Sequence, residues 1–338
     1  MSNTWLPAKP TAEMVERLAH GGDLDAAAQH YGIPKADWLD LSTGINPVPY
    51  PIGHIPPEAW TRLPDTRSQV NLVEAARAYY GVPDRAAIVA SPGTQALIQW
   101  LPRLTPKGRV AVIGPTYSEH AHCWHNAGHA VIDAPINGPL PRNTDTIVIV
   151  NPNNPDGARR DPAALAAHAR ADRLMVVDEA FADTEPMLSV VGQAGKTGLI
   201  VLRSFGKFFG LAGVRLGFAI GAPAQLKTLA EALGPWSVPG PALAIGALAM
   251  ADPDWIGRAR RRLAKDAARL DVVMEAWTGP AVGGTDFFRL YNTGETDLHS
   301  RLATKGIWTR VFANRPSFIR LGLPPDDAGF ARLTAALN

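Results

Sequence analysis

From Ala86 to Ile220 the chain repeats one pattern: a short apolar run rich in β-branched residues, a turn, then a helical stretch. The runs at 86–90, 109–113, 146–150, 174–178, 199–203 and 216–220 read as strands buried on both faces, with a weaker one at 130–134. Helical stretches at 94–103, 117–127 and 161–171 separate several of them. This alternation predicts an α/β layer structure around a mostly parallel seven-stranded sheet with helices on both faces. Helices at 223–232, 239–250 and 253–276 lead away from it. Strands at 286–291, 307–312 and 317–321 and a helix at 326–337 then predict a small α+β unit. The expected division is an N-terminal arm over 1–51 that packs with the small domain, a large domain over 52–235 and a small C-terminal domain over 236–338. Within the first stretch Asp23 can cap a helix over 24–31, and a further helix is expected over 68–80.

Composition narrows the partners. A formal charge of +2 over 338 residues leaves no long basic run, and the densest cluster, Arg258 to Arg262, falls on one face of a helix, so nucleic acid is not an expected partner. The lone Cys123 excludes an intrachain disulfide and suits a reducing compartment. There is no basic-then-apolar leader pattern, and no apolar run reaches the ~18 residues of a membrane span, so a cytoplasmic protein without a membrane partner is expected.

The chemistry concentrates where the strands end, which is where ligands bind in parallel α/β sheets. Ser204-Phe-Gly-Lys207 follows one core strand, and Arg215 precedes the next. A lysine between two buried strands is costly unless its charge is used or suppressed. Schiff-base formation with a carbonyl cofactor uses it, and a hydroxyl and a guanidinium beside it suit a phosphate on the same molecule. Pyridoxal 5'-phosphate (PLP) carries both groups. After 86–90, Ser91-Pro-Gly93-Thr94-Gln95 opens a helix whose first N–H groups suit a phosphate, although an ordinary glycine turn reads the same way. Tyr117 follows 109–113 and can stack on a flat ring. Asn154, in the turn Asn151 to Gly157, suits a hydroxyl or phenolate. Asp178 closes 174–178, and a carboxylate there must be paired; a protonated pyridine nitrogen is one such partner.

Gly93-Thr-Gln, Tyr117, Asn154-Pro-Asp-Gly157, Asp178-Glu-Ala-Phe181, Ser204-x-x-Lys207 and Arg215-Leu-Gly-Phe218 together resemble the fold-type I, aspartate-aminotransferase-like PLP enzymes over most of the chain. The resemblance implies Lys207 as the Schiff-base lysine and Asp178 as the partner of the pyridine nitrogen. It implies Asn154 on the phenolic oxygen, Tyr117 stacked on the ring, and Gly93, Thr94, Gln95, Ser204 and Arg215 around the phosphate. Arg320, in Phe318-Ile-Arg-Leu-Gly322, matches the family's substrate-carboxylate arginine. The edges of the chain, at His20-Gly-Gly-Asp-Leu, Leu39 to Pro47, Pro235 to Val238 and Arg310 to Asn314, resemble the threonine-phosphate decarboxylases of cobalamin biosynthesis, whose relatives are the histidinol-phosphate aminotransferases. Phe181 resembles the decarboxylases, since the aminotransferases normally have a tyrosine there. Leu63, Gly44 and Pro324 depart from the pattern, standing where relatives often carry a tyrosine, an asparagine and an arginine.

The implied activity is decarboxylation of L-threonine O-3-phosphate to 1-amino-2-propanol O-2-phosphate, with an aminotransferase of the histidinol-phosphate type as the alternative and a non-catalytic PLP-binding protein as a second. His20, Gly44, Asn154, Arg310 and Arg320 are the expected substrate residues, with His20 and Arg310 on the substrate phosphate. A small phosphorylated amino acid and a second copy of the chain, in a homodimer, are the implied partners. No metal is expected: His120, His122, Cys123, His125 and His129 crowd one helical stretch, but no carboxylate motif completes a site, and the stretch reads as a partly exposed polar face. Gly192 to Thr197 resembles a phosphate-binding loop but lacks its first glycine and a following helix.

Overall fold

The computed structural model describes residues 21–294 and 297–338. In chain order the helices are α1 Leu24–Tyr31, α2 Pro57–Thr61, α3 Thr66–Tyr80, α4 Thr94–Leu104, α5 Glu119–Asn126, α6 Pro162–Ala167, α7 Phe205–Phe208, α8 Pro223–Leu233, α9 Gly240–Met250, α10 Pro253–Thr278, α11 Leu298–Ala303 and α12 Asp327–Leu337. The strands are β1 Leu39–Asp40, β2 Ala87–Ser91, β3 Arg109–Gly114, β4 Ala130–Pro135, β5 Thr146–Val150, β6 Leu174–Asp178, β7 Leu199–Ser204, β8 Gly217–Gly221, β9 Gly283–Thr285, β10 Phe288–Asn292, β11 Ile307–Trp308, β12 Arg310–Val311 and β13 Phe318–Gly322.

Seven strands form one sheet in the order β2-β8-β7-β6-β5-β3-β4. All are parallel except β8, which runs antiparallel between β2 and β7. Strands β5 and β8 are buried at every position, as runs such as Thr-Ile-Val-Ile-Val require when both faces are covered. One face packs Ile113, Ile147, Ile149, Val177 and Val201, the other Val110, Val148, Val176 and Leu202 with Leu97 and Trp124 from the helices. A second sheet of four antiparallel strands has the order β12-β13-β10-β9, and β1 pairs in parallel with β11. The predicted strand over 307–312 is thus two short strands, one serving β1 and the other β13. The helix expected over 161–171 ends at Ala167. Gly192 to Thr197 forms a short 3-10 turn and loop with no helix after it.

Two features pin the elements that carry the site. The turn after β5 meets β9 backbone to backbone: Gly284 N donates to Asp156 O at 2.9 Å, and a Cβ on Gly157, whose φ is 68°, would lie 2.0 Å from Gly284 O. No other residue type fits there. Between β6 and β7, the first residue past Asp178 and the last before Ser204 form a buried ion pair. Arg203 Nη1 lies 2.8 Å from Glu179 Oε2 and its Nη2 lies 3.1 Å from Asp183 Oδ1. Ser189 Oγ and Val190 N also donate to Glu179, both at 2.6 Å, and Tyr79 donates to Asp183 at 2.8 Å. Burial works against the Arg203 charge, and Asp183 and Glu179 outweigh it, so its pKa is raised. Removing one partner leaves the other charge buried, which costs about 3–5 kcal/mol. Arg203→Met is therefore expected to lower the urea midpoint by the equivalent of about 3–5 kcal/mol, read by circular dichroism. A shift below about 1 kcal/mol would mean that the network contributes little.

Candidate active site

The carboxyl ends of the parallel strands open into one cavity of about 530 Å³. Its walls include Gly93, Thr94, Gln95, Tyr117, Asn154, Asp178, Ser204, Lys207 and Arg215 from around the large sheet, and Arg310, Arg320 and Gly44 from the other side. The structure therefore brings together all of the expected residues that lie within the described ones. His20 lies outside the described residues.

Lys207 sits on α7, directly after β7, and its remaining exposure is to the cavity it lines. No carboxylate of the described residues pairs with it; its Nζ lies 5.8 Å from the centre of the Phe181 ring. Burial, and then the charge of Arg320, push its pKa down to about 8 against the opposing pull of Asp178. A free amine is thus accessible near neutral pH, which is what a nucleophilic lysine needs.

Asp178 ends β6 and is 4% exposed. Its Oδ2 lies 2.9 Å from His120 Nε2, and its Oδ1 accepts from Ala180 N at 3.0 Å. His120 is itself buried on α5, so the sequence reading of the histidine stretch as a polar face is corrected here. It holds for His122 and His125, which are exposed, while His120 reaches the carboxylate and His129 lies beyond the helix, bonded to Pro102 O at 2.7 Å. A histidine one turn past a cavity tyrosine is a recognisable spacing, but only the fold aims it at β6.

The other strand ends supply an anion cradle. Gly93 caps α4 with φ 82°, and a Cβ there would lie 2.5 Å from Arg215 Nη2, so the guanidinium rests against the helix start. Ser91 Oγ steadies the turn by donating to Gly93 O at 3.0 Å and to Gly217 O at 3.2 Å. Ala96 N donates to Gly93 O at 3.2 Å, which leaves the N–H groups of Thr94 and Gln95 at the start of α4 to favour an anion. The Gln95 side chain has partners of its own. Its Nε2 donates to Glu119 at 2.8 Å and its Oε1 accepts from Tyr117 OH at 3.2 Å, so the side chain steadies Tyr117 and leaves the backbone N–H for the cradle. Burial, then Glu119 and Asp178, push the Tyr117 hydroxyl up to about 12, which keeps it a neutral donor. A lysine amine, a locked carboxylate, a tyrosine wall and a cradle with arginine and serine fit a phosphorylated pyridine aldehyde.

Across the cavity Arg320 is 6% exposed. It donates to Asn154 Oδ1 and, at 2.7 Å, to Ser42 O, and it stands 4.9 Å from the Phe288 ring centre. No ion pair neutralises it among the described residues, and its buried Nε has no hydrogen-bond partner. Burial, then the charge of Arg310, push its pKa down. Arg310 is the residue directly opposite on the antiparallel β12–β13 pair. Like charges placed so oppose each other, and an incoming anion relieves both. Gly44 lets the rings close: a Cβ there would lie 2.7 Å from Phe288 Cδ1 and 3.1 Å from Phe181 Cε1. Arg315, exposed on the turn after β12, lines the same cavity and was not foreseen; a third arginine five residues past Arg310 was the available signal.

Residues 56–335 match the family Aminotransferase class I and II. The chain is 47% identical over 327 residues to a threonine-phosphate decarboxylase of Pseudomonas aeruginosa, covering 95% of this chain and 97% of that one. It is 44% identical over 330 residues to a threonine-phosphate decarboxylase of Sinorhizobium sp, with the same coverage of 95% and 97%. Its fold matches histidinol-phosphate aminotransferase from Sinorhizobium meliloti, solved in complex with pyridoxal-5'-phosphate, with a TM-score of 0.75 at 18% identity over 98% of this chain and 96% of that one. With its mostly parallel seven-stranded sheet, the chain has the α/β fold of the fold-type I enzymes and belongs to the class I and II aminotransferase family.

Proposed function

We propose that this chain is a PLP-dependent decarboxylase of L-threonine O-3-phosphate that forms 1-amino-2-propanol O-2-phosphate for cobalamin biosynthesis. One observation carries the choice of substrate. Arg310 and Arg320 stand opposite each other in the cavity that holds Lys207, and among the described residues no carboxylate forms an ion pair with Arg320. Such a pair suits an amino acid with two anionic groups, a carboxylate and a phosphate. The two threonine-phosphate decarboxylases among the relatives, each matched over 95% of this chain, support the same reading.

In this reading Lys207 would bind the cofactor aldehyde through its amine, Asp178 would pair with the pyridine nitrogen, and Asn154 would bond the phenolic oxygen. Ser204, Arg215, Gly93 and the first turn of α4 would hold the cofactor phosphate, and Tyr117 would cover one ring face. Bound there, the cofactor supplies an electron sink for the pair released when the substrate carboxylate departs as CO2. His120 and Ala180 N keep the Asp178 carboxyl oriented, as a partner of the ring nitrogen would need. Arg320 and Asn154 orient the substrate carboxylate, and that orientation decides whether the bond to CO2 or the bond to the α-proton is the one weakened. Arg310, with His20, binds the substrate phosphate. Phe181 and Phe288 close the space behind the carboxylate to water. With the cofactor bound, the Lys207 amine would be the group placed to hold a proton on Nζ and return it to the α-carbon once CO2 has left.

We also propose the domain division expected from sequence, an arm over 1–51 with domains over 52–235 and 236–338; the β1–β11 pairing supports an arm that packs with the small domain. We also infer a cytoplasmic homodimer. Trp60, Leu63, Val70, Trp236 and Leu248 are exposed on or beside α2, α3 and α9, which pack together and present an apolar face. No helix among the described residues is long and apolar enough to cross a membrane.

Purified holoenzyme given threonine phosphate is expected to release CO2 with no 2-oxo acid present; conversion of the cofactor to its pyridoxamine form instead would establish an aminotransferase. Arg320→Lys loses one prong of the carboxylate fork and is expected to raise KM for threonine phosphate about 10- to 100-fold, matching a charged hydrogen bond of about 1.5–3 kcal/mol. An unchanged KM would place the carboxylate elsewhere. The Lys207 amine reacts only when neutral, and burial lowers its pKa to about 8, so its reactive fraction rises with pH through that value. The rate at which cofactor-free protein captures PLP should therefore climb with a midpoint near pH 8 and level off about one unit above it. An inflection near the ordinary lysine value, about 10.4, would contradict this.

A further inference from the structure

Lys207 lies on a helix of four residues, α7, and the carbonyls at the end of so short a helix need partners from elsewhere. Two of them are met by one residue 162 positions earlier in the chain. The backbone N–H of Asn46 donates to Lys207 O at 2.9 Å, and its side-chain Nδ2 donates to Phe208 O at 2.8 Å. Its Oδ1 accepts from Val48 N at 3.0 Å and from Arg262 on α10. Tyr50 N continues the contact by donating to Phe209 O at 2.8 Å. Asn46 is 1% exposed and does not line the cavity. Its side chain must donate once and accept twice in a buried site, and a primary amide does so with no charge.

The other end of this segment holds the substrate side. Ser42 O accepts from Arg320, and Leu41 O accepts from Gly322 N at 2.7 Å. Gly44, between the two anchorages, sits against the Phe181 and Phe288 rings. The lysine turn and the carboxylate arginine are therefore hung on one strap of backbone, with Asn46 as its fastening at the lysine end.

We propose that Asn46 is a positioning residue for Lys207: by capping the end of α7 it fixes the backbone from which the amine reaches cofactor and substrate. This rests on the reading of Lys207 as the PLP-binding lysine. Asn46→Asp keeps the acceptor for Val48 and a partner for Arg262 but removes the donor to Phe208 O, so the fold is retained while the lysine turn loosens. Asn46→Ala removes both.

The test compares wild type, Asn46→Asp, Asn46→Ala and Lys207→Ala. Four quantities are measured: thermal midpoint, the rate of PLP capture by cofactor-free protein, cofactor content at saturation, and kcat and KM for threonine phosphate. Misplacing a reacting group by about 1 Å costs about 100-fold. For Asn46→Asp the expected result is a fall of about 10- to 100-fold in both kcat and capture rate. KM should stay within about threefold, and cofactor content and thermal midpoint near wild type. Capture and turnover within about threefold of wild type in both Asn46 variants would overturn the proposal. So would activity lost only in step with cofactor content and stability, since kcat per bound cofactor would then be unchanged. If Lys207→Ala retained the absorbance of the lysine-bound cofactor, the reading of Lys207 itself would fall, a result separable from the Asn46 comparison.

Discussion

Arg320 is a buried cation for which no ion pair exists among the described residues. Taking such a group out of water costs several kcal/mol, and here the fold offsets it only partly, with Asn154 Oδ1, Ser42 O and the face of Phe288. Three separate parts of the chain are recruited to do so: the turn after β5, the segment after β1, and β10. Holding that charge in place obliges the two sheets and the strap to meet at one point. Its incomplete compensation, with Nε unpaired and Arg310 opposite, leaves a demand that an anionic ligand fills.

The large sheet answers a different demand. Parallel strands in register deliver side chains from non-adjacent segments to one edge, so Asp178 on β6 and Ser204 on β7 come from neighbouring strands though 26 positions apart (204 less 178). The Glu179–Arg203 pair sits beside both and ties the strand ends together below the cavity floor. Antiparallel β8 matters as much. By running back between β2 and β7 it sets Gly217 opposite both Ser91 and Ser204, which brings Arg215 against the start of α4.

Much of this was legible in the residues. A lysine, a carboxylate, a tyrosine and a glycine turn each at a strand end can be read from one-dimensional spacing, because topology carries strand ends to a common place. The direction of β8 was not legible, since an apolar run looks the same from either end. Nor was the pairing of His120 with Asp178: helical periodicity says which face a residue occupies, not what the face meets 58 positions away. The side-chain partners of Gln95 were not legible for the same reason, as Tyr117 and Glu119 lie on another segment. The strand over 307–312 divided because Ile307 and Arg310 pair with different neighbours, a choice made by tertiary contacts alone.

The close approach of Gly157 to Gly284 has a mechanical consequence. With no side chain between them, the two backbones touch at a point that neither compresses nor slides without breaking the Gly284 N to Asp156 O bond. A rearrangement of the small sheet against the large one that preserves this bond is a pivot about it. Asn154, three residues from the pivot, barely travels in such a motion. Arg310 and Arg315, out on β12 and its turn, sweep the longer arc. Arg320, paired with Arg310 across β13 and β12, belongs to the same moving sheet, so such a pivot would shift the arginine side of the cavity relative to Asn154 and the large sheet.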